Sequence, residues 1–323
     1  MFGAITEDYP RTLLEMERRF RDEAACRSYL FALRWPQGFA CPACGGRGTA
    51  IRRHLWRCQN CGRETSVMAG TVFQDTKLPL AIWFRAMWQA AAQKNGISAL
   101  GLQRVLGLGS YKTAWALLHK LRRAMVRPGR ECLGGVVEVD ETYWGGEESG
   151  VRGRQTEEKA LIVVAAEADG ANIGRIRLGH IPDTNRATLH GFIQQSIEPG
   201  STVVTDGLQA YRELAGYLHE RQIQNHQPAE AEHLLPRVHR VISLLKRWLL
   251  GTHQGGIAHE HLDDYLNEFT FRFNRRASNS RGKLFYRLAQ QAVGVAPVPF
   301  AALTQHKAYH VAPKPRLTIF RGT

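Results

Sequence analysis

The stretch VVEVDETYWGG, residues 136–146, runs an apolar strand straight into two adjacent carboxylates, Asp140 and Glu141. Successive side chains of a strand point to opposite faces, so Glu141 lies with Val137 and Val139 while Asp140 takes the other face. Only one of the two acids can enter a given site. A carboxylate on a half-buried strand is costly unless something there uses its charge. Asp140 is the candidate for that use, and Glu141 reads as a supporting residue that balances a nearby Arg.

Downstream, KALIVVAAEA and GRIRLGHI read as further strands, and TNRATLHGFIQQSI as an amphipathic helix capped by Asp183 or Thr184. STVVTDGLQAY then gives a fourth strand that again closes on a carboxylate, Asp206, followed by Gly207. Three strands, a helix and another strand is the chain order of an RNase H-like α/β fold, a mixed sheet with flanking helices. In that order the first and fourth strands are neighbours, so Asp140 and Asp206 share one site. Neighbouring carboxylates repel unless a cation joins them, and hard oxygen donors suit Mg²⁺ or Mn²⁺. Two such ions about 4 Å apart can activate an attacking water or sugar hydroxyl and steady the leaving oxygen in phosphoryl transfer.

Upstream, the charge is unevenly placed. The 323-residue chain carries a net +14, and residues 1–130 hold 21 Lys and Arg against 8 Asp and Glu. From Thr76 to Arg130 there are ten basic residues and no acid. Such a segment is expected to sit on phosphates. Cys41, Cys44, Cys58 and Cys61 form two CxxC knuckles separated by thirteen residues, a spacing that converges four thiolates on one Zn²⁺. A segment as small as residues 36–70 has little core of its own, so zinc is expected to fold it. Between the knuckles, TAIRRHLWRC reads as a strand carrying Arg52, Arg53 and Arg57, candidate contacts to nucleic acid. Cys26 and Cys132 read as ordinary thiols.

Leu80, Trp83, Phe84 and Met87 recur at helical spacing, and ISALGLQRVLGLGSYKTAWALLHKLRRAM splits at GLGS into a short helix and a longer one. A Gly-containing turn followed by Ser110 as N-cap is helix-turn-helix grammar. The second helix offers Lys112, Thr113, Lys120, Arg122 and Arg123 to DNA, with Trp115, Leu118 and Leu121 toward the core. VRPGRECLGG reads as a linker. The division is residues 1–75 for an N-terminal helix and ribbon, 76–130 for the helix-turn-helix region, 135–295 for the catalytic domain and 296–323 for a tail. ALIVVAA, the longest apolar run, is too short to cross a bilayer, so a cytoplasmic protein is expected.

CPACGGRG, GTVFQDTKLPLAIWF, VEVDETYWGG, VVTDGLQAY and SLLKRWLLGTHQGGIAHEHLDDYLNEFTFRFNRR, in this order, resemble bacterial insertion-sequence transposases of the zinc-ribbon ISXO-like group. The resemblance implies a DDE-type domain that cleaves at the element's ends with Mg²⁺ or Mn²⁺ and joins 3′-hydroxyls to target DNA. It further implies a homo-oligomer working on double-stranded DNA at the bacterial nucleoid. The group's usual pattern sets a third acid, or Asn, seven residues before the Lys of the LLKR helix. Here that position is His239, counted back from Lys246. His239 is thus expected to complete the metal site, its imidazole suiting Mn²⁺ better than Mg²⁺. Glu230 and Glu232 are the alternative third ligands. Lys246 shares the helix face of His239 and could hold a phosphate, and Arg272, Arg275 and Arg276 could clamp DNA. Two other classes remain: a DNA-binding regulator with an inactive catalytic half, and a nuclease that cuts without joining.

Overall fold

The structure, a computed structural model, describes residues 7–52, 54–127, 129–145, 159–222 and 234–304. Arg53, Glu230 and Glu232 lie outside the described residues.

Helices α1 (Leu13–Arg19) and α2 (Glu23–Arg34) lead into a three-stranded antiparallel sheet of β1 (Gly48–Arg52), β2 (Leu55–Cys58) and β3 (Glu64–Ser66). Then follow α3 (Leu80–Ala92), α4 (Ala99–Leu106) and α5 (Tyr111–Ala124). Gly107, at φ +62°, ends α4 in the left-handed conformation that lets the chain turn at once into α5. Ser110 stands at the N-cap of α5 as expected, although its side chain makes no capping bond.

The second unit is built on β4 (Val136–Trp144), β5 (Ala160–Asp169), β6 (Asn172–Ile181), β7 (Thr202–Thr205) and β8 (Leu218–Arg221), in the spatial order β6-β5-β4-β7-β8. The first three are antiparallel neighbours, and β7 joins β4 in parallel with Val136 opposite Thr202 and Glu138 opposite Val204. This is the RNase H-like order read from the sequence. Helix α6 (Arg186–Ser196) covers one face of the sheet, and α7 (Pro236–His253) and α8 (Leu262–Phe273) cover the other. Because both faces are covered, β5 is apolar from Ala160 to Ala166: Leu161, Val163 and Ala165 pack on one side, Ile162, Val164 and Ala166 on the other. The α6 cap differs from expectation. Asn185 is the N-cap and accepts from the Thr188 amide, while Asp183 lies outside the helix and accepts from the Asn185 amide.

Two of the expected boundaries also differ. The ribbon does not stand alone, because Trp35, Phe39, Cys41 and Cys58 are buried in one core with α2 and α3. Trp56 of β2 stacks on Phe31 of α2 at 4.6 Å, and Arg34 Nη1 donates to the carbonyls of Ser66 and Val67. Helix α9 (Arg281–Ala292), assigned from the sequence to the catalytic domain, contributes Leu284, Phe285, Leu288 and Ala289 to this same first core. Its start presses on the chain near the N-terminus, where a Cβ on Gly282 would lie 1.6 Å from the Pro10 carbonyl oxygen. Only glycine permits that approach.

Candidate active site

Asp140 and Asp206 reach one site through strand register. The parallel pairing that sets Glu138 opposite Val204 brings Asp140, two residues further, level with Asp206 just past the end of β7. Asp140 Oδ1 accepts from the Glu141 amide at 2.8 Å, and Asp206 Oδ1 accepts from the Leu208 amide at 2.9 Å, which fixes both carboxylates. Burial raises the Asp140 pKa, and the like charge of Asp206 adds to the rise while His239 opposes it. A cation would relieve both raising effects.

His239, which the resemblance offers as third ligand, lies beside Asp140. Its Nε2 lies 3.2 Å from Asp140 Oδ2, with the imidazole 43% exposed and the carboxylate 17% exposed. Lys246, seven residues on and so on nearly the same helix face, is half-buried, and desolvation lowers its pKa. Asp140, Asp206 and His239 are more open than a compact single-ion site. Among the described residues, only two clusters hold at least three donor atoms all within 4.8 Å of one another, and this set is neither of them. Glu141 faces the other way, as expected, and lies beside the buried Tyr211, whose pKa is raised first by burial and then by this carboxylate.

Glu138, which the sequence reading passed over, is 4% exposed and points to the same face as Asp140. Its Oε2 accepts from the amides of Arg237 and Val238 at 2.8 and 2.9 Å, and its Oε1 accepts from Arg237 Nη1 at 2.8 Å. The signal was present in the period-2 alternation, which puts Glu138 and Asp140 on one side.

The four knuckle cysteines form a second, separate site. Cys41 and Cys61 sulfurs lie 3.7 Å apart and those of Cys44 and Cys58 3.5 Å apart. A tetrahedron with Zn–S bonds of about 2.3 Å has edges of about 3.8 Å, whereas a disulfide is about 2.05 Å. The set therefore fits Zn²⁺. Backbone amides of Cys61 and Asn60 bring the Cys58 thiol down to about 6, and the Ala43 amide lowers Cys41. The Gly46 amide favours a Cys44 thiolate, yet its sulfur neighbours Cys58 and Cys61 push it up to about 12. Four thiolates at this spacing repel until a dication neutralises them.

The basic residues expected to contact DNA divide. Arg52 and Lys112 are exposed; Arg57 is exposed and paired with Glu64. Lys120 is half-buried and, with Lys112, lines a cavity of about 360 Å³ beneath α5. Five arginines are corrected. Arg122 is 1% exposed, its Nε donating to Glu268 at 2.8 Å. Arg123 packs against Asp264 at 3.4 Å, and Arg272 Nη1 donates to the Lys94 carbonyl with its side chain 9% exposed. Arg275 bonds the Phe271 carbonyl and lies over that ring at 4.0 Å. Arg122, Arg123 and Arg272 join the first unit to the second, and Arg275 is held against its own helix. Arg276 similarly staples α8 to β6 through the Gly174 carbonyl.

His119, His261 and Asp264 also gather their donor atoms within 4.8 Å. Arg122 Nη1 faces His119 Nε2 at 3.3 Å and Arg123 Nε faces Asp264 Oδ1 at 3.4 Å, so guanidinium groups already supply the positive charge there. This cluster reads as a contact between units.

A groove of about 750 Å³ runs between α7, α8 and the end of α3 and is lined by Lys94, Arg240, Arg247, Arg272, Arg276 and Arg281 among apolar residues. No acid lines it among the described residues. Arg240 and Arg247 follow directly on His239 and Lys246, so the groove adjoins the face of α7 that carries those two residues. That repeat of basic residues at seven-residue spacing was available in the sequence.

Residues 132–274 match the model of the ISXO2-like transposase domain, and residues 21–64 match that of the transposase zinc-ribbon domain. A relative from Halobacterium salinarum (strain ATCC 700922 / JCM 11081 / NRC-1), described as an uncharacterized protein in transposable element ISH50, is 27% identical over 298 residues, 79% of this chain and 92% of the relative. Among solved structures, the catalytic core domain of BIV integrase is similar with a TM-score of 0.31 and 16% identity, over 48% of this chain and 93% of that one. A simian T-cell lymphotropic virus intasome in complex with PP2A regulatory subunit B56 gamma gives 0.31 and 14%, over 57% and 70%.

Proposed function

Since the chain belongs to the zinc-ribbon, ISXO2-like transposases of insertion sequences, we propose that Asp140, Asp206 and His239 form its catalytic metal site and that it cuts element ends and joins them to target DNA. The observation that carries this reading is the convergence of Asp140 and Asp206 at one level of adjacent parallel strands, with His239 Nε2 3.2 Å from Asp140. Two carboxylates and an imidazole suit Mn²⁺, and Mg²⁺ through the carboxylates. The bound ions would supply Lewis-acid activation of the attacking hydroxyl and charge neutralisation at the scissile phosphate.

The chain's own groups do the remaining work. Lys246, half-buried on the face of His239, holds a phosphate oxygen beside the metal ligands. Arg240, Arg247 and Arg281 give the groove along α7 the charge to seat a DNA backbone. Arg52, Arg57, Lys112 and Lys120 contribute to end recognition from the first unit, and Zn²⁺ holds the ribbon that presents the first two. The active complex is a homo-oligomer, a second copy bringing the element's other end, and it works on double-stranded DNA at the nucleoid of a bacterial cytoplasm. Among the described residues no helix is long and apolar enough to cross a membrane.

The test is incubation of the purified protein with labelled element ends, target DNA and Mn²⁺. Cleaved ends joined to target are expected, and a protein that binds ends without cutting them would refute the reading. Cutting without joining would point to the nuclease.

A further inference from the structure

We infer that Glu138 is a positioning residue for the metal site, setting the start of α7 so that His239 stands against Asp140. The inference rests on the metal-site reading above and deepens it.

Leu235, the N-cap of α7, makes no side-chain capping bond, and Pro236 at the first position has no N–H to offer. The amides of Arg237 and Val238, which a capping side chain would otherwise satisfy, donate instead to Glu138 Oε2 on β4. The helix is thus capped from a strand about a hundred residues earlier. A negative charge at that end is favoured by the helix dipole and by the Arg237 guanidinium, which bonds Glu138 Oε1 at 2.8 Å. Arg237 also donates to the carbonyls of Gly170 and Asn172, tying the same point to the turn between β5 and β6.

The consequence lies two residues further along β4 and directly after Val238 on α7. Glu138 and Asp140 project from one face of β4, and Arg237, Val238 and His239 are consecutive on α7. Glu138 with the two amides forms one rung between strand and helix, and Asp140 with His239 forms the next. Without the first rung the helix start can rotate or slide on the sheet, and His239 moves with it. Groups that orient a metal ligand typically affect affinity by about 10–100-fold when removed.

Binding of Mn²⁺ to the full chain, followed by electron paramagnetic resonance, tests this without relying on catalysis. Asp140→Ala defines the signal of the active site by removing it. Glu138→Leu is expected to weaken that binding by about 10-fold or more. Glu138→Gln, which retains an oxygen for the two amides and loses the charge facing Arg237, should fall between Leu and wild type. Val163→Ala, in the core on the opposite face of the sheet, should lower the melting temperature and leave Mn²⁺ affinity unchanged, separating positioning from general stability. If Glu138→Leu does not fold, Glu138→Gln with Arg237→Ala gives the same comparison. Wild-type affinity in the folded Glu138 variants, with the site still lost in Asp140→Ala, would overturn the inference and leave the metal site standing. Equal binding by wild type and Asp140→Ala would overturn both.

Discussion

Arg122 of α5 and Glu268 of α8 form an ion pair at 2.8 Å with both side chains 1% exposed, joining helices 146 residues apart in the chain. Arg122 Nη1 also faces His119 Nε2. A guanidinium only donates, so that nitrogen accepts, and the His119 proton sits on Nδ1 facing Asp264. The helix-turn-helix region is thereby fixed to the helix that packs on the catalytic sheet.

Arg122→Ala should destabilise the fold by about 3–5 kcal/mol, because it strands Glu268 as a buried charge. The double change Arg122→Met with Glu268→Leu should recover much of that loss. Denaturant unfolding measures both. Neither is expected to change the salt dependence of DNA binding beyond its effect on folding.

Salt dependence should instead respond to the groove. Arg240→Ala and Arg247→Ala should each flatten the slope of log affinity against log salt by about 0.9, one phosphate contact apiece. A slope unchanged in both would place DNA elsewhere.

At the proposed metal site, Asp140→Ala and Asp206→Ala should abolish cutting and joining while retaining binding to element ends, read by gel shift alongside strand transfer. His239→Ala should also abolish chemistry. His239→Glu should retain part of it with preference shifted from Mn²⁺ toward Mg²⁺.

Cys58→Ser should lose zinc, measured by metal analysis. Since Phe39, Cys41 and Cys58 share a core with α2 and α3, the loss should also lower the melting temperature of the whole first unit. Full zinc occupancy in that variant would sink the assignment.

Acid should weaken the fold through buried histidines. Burial brings the pKa of His119 and of His253 down to about 4, against an ordinary value of 6.5. Between those values the unfolded chain takes up a proton that the folded chain refuses, so stability is present above pH 6.5 and falls as pH drops toward 4. For His119 the loss is roughly 3 kcal/mol. His119→Gln keeps a donor for Asp264 and an acceptor for Arg122 without a titrating ring, so its unfolding free energy should vary less over this range.

The paired aspartates were legible because two local patterns sufficed. Strand alternation selects Asp140 over Glu141, and the order of elements makes the strands of Asp140 and Asp206 neighbours. His239 was reached only through the resemblance, whose pattern places the third ligand seven residues before Lys246. The arginines did not yield to the same reading: Arg122 looks like a surface cation within its own helix, and its partner Glu268 is invisible until α5 meets α8. Lys112, on the same helix and with no such partner among the described residues, is exposed. Asp183 illustrates a smaller ambiguity, since Asp183, Thr184 and Asn185 can all cap a helix and only the backbone decides among them.

The return of α9 to the first core bears on the order of synthesis. The surfaces of α2 and α3 that face α9 are made early, yet Phe285, Leu288 and Ala289, which pack with them, are translated only after the whole catalytic sheet. The first core is therefore completed last. A nascent chain that has just finished its helix-turn-helix region still shows water the apolar side that α9 will close, and a fragment ending at Arg130 would show it permanently. The first unit thus matures only when α9 docks on α2 and α3.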